Sequence, residues 1–447
     1  MTQMQSLRQG SPATRYGLFI LALLALALST FPLASCGGVD KPSVAIKREQ
    51  LFTLGYGAAE NQLDLFQVDR TETTQKTCIT MREGIFYIAN GAGGKVVRYS
   101  SFGDPLSMIY NPVKNPVPIV LKAVPSKQDS VSAAGLSSAV SSEDEGLGRK
   151  AVPFAFRSAG EIAVDSNQNV YIEDRLPPER RVQDKDSDAI LDRIVLRFGK
   201  DGQALGYLGQ EGLGGTPFPY ILGIYTTASD DCVVVSMLQS AWLVHWFDKS
   251  GVLVSSLRLR RDELPMPDKT PGFVASLDKI VPDTSGRALI LKVDYYKEAV
   301  DQGAKTDASA GAPGVDFASS WVYRMDLMDG KFGDRWQIRA MEKSTKLSDG
   351  RSIKYSRVPS LLGVTGRSLF LFYADDDGKT YVSIFDRTTK DTARFSIDIS
   401  PDEMYYNAYF LSQGGVLCAL LGTKYEAKIV WWRFDKQLGA SSPGLDK

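Results

Sequence analysis

The chain has 447 residues and is 43 % hydrophobic, enough apolar material for a large core. Lys plus Arg and Asp plus Glu both number 52, so the basic footprint of a nucleic-acid binder is absent and no nucleic-acid partner is expected. A single histidine excludes a zinc site built on several imidazoles.

The first element is a leader. Arg8 and Arg15 precede an almost wholly apolar run from Gly17 to Phe31, the pattern of a secretory signal peptide. The run is short for a membrane span. It ends in Leu33-Ala34-Ser35-Cys36, which resembles the lipobox of bacterial lipoproteins. That resemblance implies that Cys36 carries fatty acyl groups of the palmitate type and becomes the first mature residue. One acyl chain binds a membrane only marginally, and lipoprotein-type acylation supplies more than one. The expectation is therefore a membrane partner through the lipid anchor, in the cell envelope, facing the periplasm or the cell surface. An ordinary signal peptide cut after Ala34, or an uncleaved anchor, are the alternatives. The organisation reads as a signal peptide at 1–35, a tether at 36–47 and one β-propeller at 48–447.

From there a phrase repeats: an alternating apolar strand, an aromatic or Met, a small or acidic residue, then a turn. Its copies are Val96–Ser100, Ile194–Gly199, Leu243–Asp248, Val322–Asp326, Tyr381–Asp386 and Ile429–Asp435. A partner strand precedes most of them, as in Gly84–Ile88, Asn169–Ile172 and Ser368–Phe372. A further strand lies upstream, as in Gly160–Asp165. Asp, Asn and Gly fill the turns, where tight hairpins need the left-handed backbone. No segment sustains a helical period.

All-strand self-similarity at roughly fifty residues predicts an all-β propeller of four-stranded blades. The count is about six, or seven or eight if the insertions conceal a degenerate blade. The units, above all Gly160–Leu208, resemble NHL-type propeller repeats. The lone strand Gln50–Leu54 comes before any blade, and no fourth strand follows Phe434-Asp435. The N-terminal strand is expected to complete the last blade and leave no open seam.

Three insertions break the period, near 126–149, 176–192 and 297–320. All lack a core pattern and read as exposed loops. The first falls between the last strand of one blade and the first of the next. The others fall between second and third strands. In an up-and-down meander these connections emerge on one face, where recognition commonly sits.

Candidate chemistry is sparse, and no catalytic residue or cofactor is expected. His245 lies within a strand and reads as a hydrogen-bonded structural residue. Asp184, Asp186 and Asp188 alternate as calcium ligands do, with Asp192 beyond, but Ala189 and Val195 stand where an EF-hand needs Gly and Glu. An acidic solvated loop is the competing reading. Asp375–Gly378 reads as a hairpin turn, and Gly206–Gly215 as a loop between blades. Cys78, Cys232 and Cys418 sit in apolar runs and read as buried thiols, with one disulfide as the alternative. The tryptophans at 242, 246, 431 and 432 read as packing residues.

The expected function is a lipid-anchored, non-enzymatic scaffold with a protein partner in the envelope. Its architecture is similar to that of the accessory propeller lipoprotein of outer-membrane β-barrel assembly. A small-ligand or glycan-binding propeller is the alternative, which needs an aromatic and polar axial pocket. An envelope hydrolase or lyase is the third reading.

Overall fold

Strands form here because β-branched and aromatic residues fill runs of five to twelve residues. In the computed structural model the described residues are 43–66, 75–123, 149–267, 272–284, 286–298, 315–346, 352–375 and 378–440. The leader, Cys36 and most of the first insertion lie outside them, as do residues 299–314 of the third.

The fold is all-β and propeller-like. Among the described residues, six sheets of four or more strands follow one another along the chain, here numbered I to VI with strands A to D. Strands A are Thr77–Arg82, Ile162–Val164, Tyr220–Thr226, Phe273–Pro282, Ser360–Thr365 and Tyr406–Leu411. Each begins an antiparallel meander. All six repeat phrases coincide with strands C. Neighbouring sheets touch near strands A, and the contacts run in cyclic order from I to VI and back to I.

The core explains that order. Strands B and C have neighbours on both faces, so they read as continuous apolar runs and not as alternating ones. Cys232–Met237 and Ala241–Phe247 are buried almost end to end. Six hydrophobic clusters result, one at each junction between neighbouring sheets. Each fully buried Val, Leu, Ile or Phe contributes about 1.5–3 kcal/mol before entropy is counted. Turns set the register. Between strands A and B of sheet I only Glu83 and Gly84 intervene, at φ 52° and 76°. That double left-handed turn matches the twist of the strands it joins.

Sheet VI is assembled from both ends of the described chain. Arg48–Tyr56 lies antiparallel to Glu426–Arg433 and occupies the outer position that strand D holds elsewhere. The expected strand Gln50–Leu54 sits inside it. Just before it, Val44–Ile46 pairs in parallel with strand D of sheet V, Thr392–Ile397. Sheet-bound chain therefore begins at Val44, inside the segment read as a tether at 36–47. The opposite end also differs from expectation. Asp435–Ala440 forms a short helix that starts on an acidic residue, with Leu438 against the apolar cluster between sheets V and VI.

The insertions are partly structured. Residues 176–192 contain a hairpin of Val182–Gln183 with Ile190–Leu191, and Leu176, Leu191 and Asp192 are buried. Residues 178–190 are mostly exposed, as expected, but they form a hairpin whose buried ends pack on the sheet. Ala288–Glu298 and Val315–Asp326 carry the sheet IV ladder into the third insertion. A further hairpin, Met341–Lys346 with Ser352–Arg357, joins sheets IV and V and was not foreseen. Gly206–Gly215 is also corrected: it spans the end of strand D (Ala204–Gly209) and an added strand, Gly212–Leu213.

Candidate functional site

Strands A run from the face bearing the B–C and D–A connections, called upper here, to the face bearing the A–B and C–D turns. Between them lies an axial cavity of about 970 Å³ lined by strands A of all six sheets. Strands A of sheets III, IV and V each carry a bulge at the same place. The pairing skips Leu222, Asp278 and Leu362 in turn. A bulge re-aims a side chain and frees backbone groups from the ladder.

Side chains from neighbouring sheets take up those groups. Lys279 Nζ donates to the Leu362 carbonyl at 2.9 Å, and the Leu361 N–H donates to Asp278 Oδ2 at 2.7 Å. Lys76 Nζ donates to the Ile221 carbonyl at 2.7 Å. It also pairs with Glu161 Oε1 at 3.1 Å and Glu173 Oε2 at 3.0 Å, and lies 4.6 Å from the centre of the Tyr220 ring. Arg193 holds the other oxygen of buried Glu173 at 3.1 Å. One lysine thus joins sheets I, II and III at the upper mouth.

Electrostatics follow from that enclosure. Burial alone would lower the Lys76 pKa, but Glu161 and Glu173 raise it above its ordinary value. Burial raises the carboxyl of Glu161, with Lys76 opposing. Burial lowers the amine of Lys279. The thiol of Cys78 is pushed well up by burial, which favours its protonated form. Tyr225 is raised by the same cause. At the lower mouth Gln413 Nε2 donates to the Thr226 carbonyl at 3.1 Å, a bar between sheets VI and III on opposite sides of the ring. Tyr409 is one of the cavity's lining residues, and its buried hydroxyl has no partner among the described residues. The axis is therefore a pit with an ionic and aromatic mouth, not an apolar plug.

The upper face is also where exposed apolar side chains gather. Val113, Ile119, Val274, Tyr405 and Tyr425 belong to its connections and projecting strands, and each is at least 60 % exposed. The lower face shows isolated ones at turn tips, such as Phe102, Val252 and Met328.

The residues singled out in the sequence are placed as follows. Cys36 lies outside the described residues. Asp184 Oδ2 accepts from the Ser187 N–H at 3.1 Å and from its hydroxyl, while Asp188 accepts from the Gln183 amide. Asp192 pairs with Arg175 at 2.6 Å instead. The described residues hold no group of three or more His, Cys, Asp or Glu suited to a metal ion. Asp184, Asp186 and Asp188 serve a hairpin turn and do not converge.

His245 is buried as expected, and its Nδ1 has no hydrogen-bond partner among the described residues. Aromatic packing on Phe218 and Phe247 holds it. Cys232 and Cys418 are buried free thiols, whereas Cys78 is half-buried at the axial cavity and also free. Trp242, Trp246 and Trp432 are buried, and Trp431 donates to Glu49 at 2.9 Å. Asp375 and Gly378 form the expected turn.

Sequence reasoning missed Lys76, Glu161, Asp278 and Lys279. The signal was there in part: Lys76 and Glu161 stand just before the upper ends of their strands A, whereas Asp278 and Lys279 lie mid-strand, where a bulge turns them.

No family model matches this chain, and no curated protein matches it. Solved structures do. The AfRom2 CNH domain aligns over 87 % of this chain and 99 % of its own, at 7 % identity and a TM-score of 0.37. A protein of unknown function from Bacteroides caccae covers 76 % and 83 %, at 8 % identity and 0.32. A putative 6-phosphogluconolactonase from Bacteroides uniformis covers 60 % and 79 %, at 13 % identity and 0.29. Likeness at this level carries no argument about what this chain does.

Proposed function

We propose that this chain is a non-enzymatic scaffold of the bacterial cell envelope, anchored through an acylated Cys36 and docking a protein partner on its upper face. In this reading each sheet is one blade of a six-bladed, NHL-like propeller, and Arg48–Tyr56 closes the ring. The observation that carries it is the concentration of exposed apolar side chains and long connections on one face. Large apolar groups gathered in that way mark interaction surfaces. Service in envelope or outer-membrane protein assembly is the role this architecture suits.

Photo-crosslinking in intact cells tests the proposal. A crosslinker at Val274 or Tyr405 is expected to capture a reproducible protein, and one at Phe102 or Met328 is not. Capture from neither face, or equally from both, overturns it. The fatty modification is read separately by mass spectrometry of the mature N-terminus.

The axial pit supports a second reading, in which a small ligand or glycan enters from above. Its volume lies within the ~300–1,000 Å³ typical of ligand sites, and its mouth is polar and aromatic. A ligand held there would lose affinity in Lys279→Met and keep it in Met328→Ala.

A further inference from the structure

A smaller cavity lies away from the axis. Its volume is about 240 Å³, and it is bounded by the sheet II insertion hairpin and by strands C (Ala241–Phe247) and D (Leu253–Arg260) of sheet III. His245 lines it from strand C, only 6 % exposed, with the Phe218 ring edge-on at 5.2 Å. Burial lowers the imidazole to a pKa of about 4, so it is neutral at physiological pH. A neutral imidazole has one donor and one acceptor nitrogen, and Nδ1 of this one finds no partner among the described residues. A buried polar atom in that state calls for a partner, and His245 stands on the cavity wall.

The other polar groups around the cavity narrow its ligand. Asp184 and Arg258 bring opposite charges, so with His245 neutral the charges of these three cancel. Ser187 engages only Oδ2 of Asp184. Gln210 donates its amide N–H to the Pro217 carbonyl at 2.7 Å, which leaves its oxygen as an acceptor. Leu191 and Leu243 add apolar wall. Cancelling charges disfavour an ionic ligand. Donors and acceptors set among leucines suit a compound with several hydroxyls and a C–H face. The volume falls short of drug-sized sites and holds about eight waters at ~30 Å³ each.

We propose that this lateral cavity binds one neutral polyhydroxylated ring of monosaccharide size, with His245, Asp184, Gln210 and Arg258 as its polar contacts. The proposal joins two features the sequence left apart, the lone histidine and the acidic insertion. It is independent of the docking face, and either can fail alone.

His245 supplies its own reporter, because no other histidine contributes imidazole signals to the spectrum of the full-length chain. In heteronuclear NMR the imidazole is followed while glucose, galactose or N-acetylglucosamine is added into the tens of millimolar range. Glycerol and glucuronate serve as size and charge controls. A saturable shift by at least one neutral hexose is expected. Arg258→Ala removes an exposed side chain, whereas Asp184→Ala also breaks the Ser187 contacts of its hairpin; with the His245 signal of each free variant unmoved, each is expected to weaken the affinity about tenfold, the scale of one hydrogen bond to a charged group. Met328→Ala, at an exposed turn tip of the lower face, is expected to leave it unchanged. The proposal is overturned if no neutral hexose moves the signal, if glucuronate alone does, or if the shift survives both alanine substitutions.

Discussion

Sheets III and VI have the same meander but are held together differently. Sheet III is continuous from Tyr220 to Arg260, and its strands are joined by short turns that fix the register. Its contacts are mainly apolar, with the Trp246 indole donating to Asp231 Oδ2 at 2.8 Å. Sheet VI must pair strands more than 350 residues apart, with no turn to align them. Directional polar contacts stand in for the turn. Arg48 binds Glu403 through both oxygens, at 2.6 and 2.7 Å, and Lys428 joins at 3.0 Å. Tyr56 donates to the carbonyls of Thr423 and Glu426, and Trp431 to Glu49. The difference teaches that a seam without a turn needs contacts with a preferred geometry, which apolar packing alone does not supply.

That contrast can be broken in graded steps. The largest effect is expected from deleting residues 43–56, which would strip sheet VI to three strands and expose Glu426–Arg433 as an edge. Light scattering after size exclusion should show large species and no monomer; a well-folded monomer would mean that the seam is dispensable. Trp246→Ala strikes sheet III, where packing dominates, and should cost about 3–5 kcal/mol in denaturant unfolding.

Glu403→Ala leaves Arg48 and Lys428 without their carboxylate and should cost roughly 3 kcal/mol, the scale for breaking a largely buried pair. This loss should depend on pH. Burial raises the Glu403 pKa, but its bonds from Arg48 and Lys428 outweigh that and bring it from 4.5 to about 2. A depressed carboxyl stabilises above its unfolded pKa, and the contribution fades as pH falls through the folded one. The gap between wild type and Glu403→Ala should therefore be full above pH 4.5 and shrink toward pH 2. A gap that stays constant over that window would show that the clamp acts through shape and not charge. The smallest effect is expected from Asp248→Ala in the C–D turn of sheet III. Its Oδ1 accepts from the N–H groups of Ser250 and Val252 at 2.9 and 3.0 Å. Losing them should cost about 0.5–1 kcal/mol in the same measurement.

The strands were legible because their signal is local. The phrase ending at Phe198, Phe247 or Phe385 carries its own apolar run and its own turn residues. The pairing of Gln50–Leu54 with Glu426–Arg433 was legible for a different reason, since a lone strand matched a meander of three strands. The bulges at Leu222, Asp278 and Leu362 were not visible, because a bulge depends on what its neighbours offer the freed backbone. The ionic mouth was hidden for a related reason. Lys76, Glu161 and Lys279 come from separate sheets, and only the ring brings them to one opening. The hairpin at Met341–Arg357 was missed because its polar sequence has no core face to announce it. His245 was read as satisfied because buried imidazoles usually are.

The segment from Val44 to Tyr56 stitches two neighbouring sheets in sequence, first to the rim of sheet V and then to the rim of sheet VI. Tension entering at residue 43 therefore meets a three-residue patch before it reaches the strand on which the seam depends. Three residues of parallel pairing hold less than the nine-residue strand behind them, so under such a pull the patch is expected to detach first.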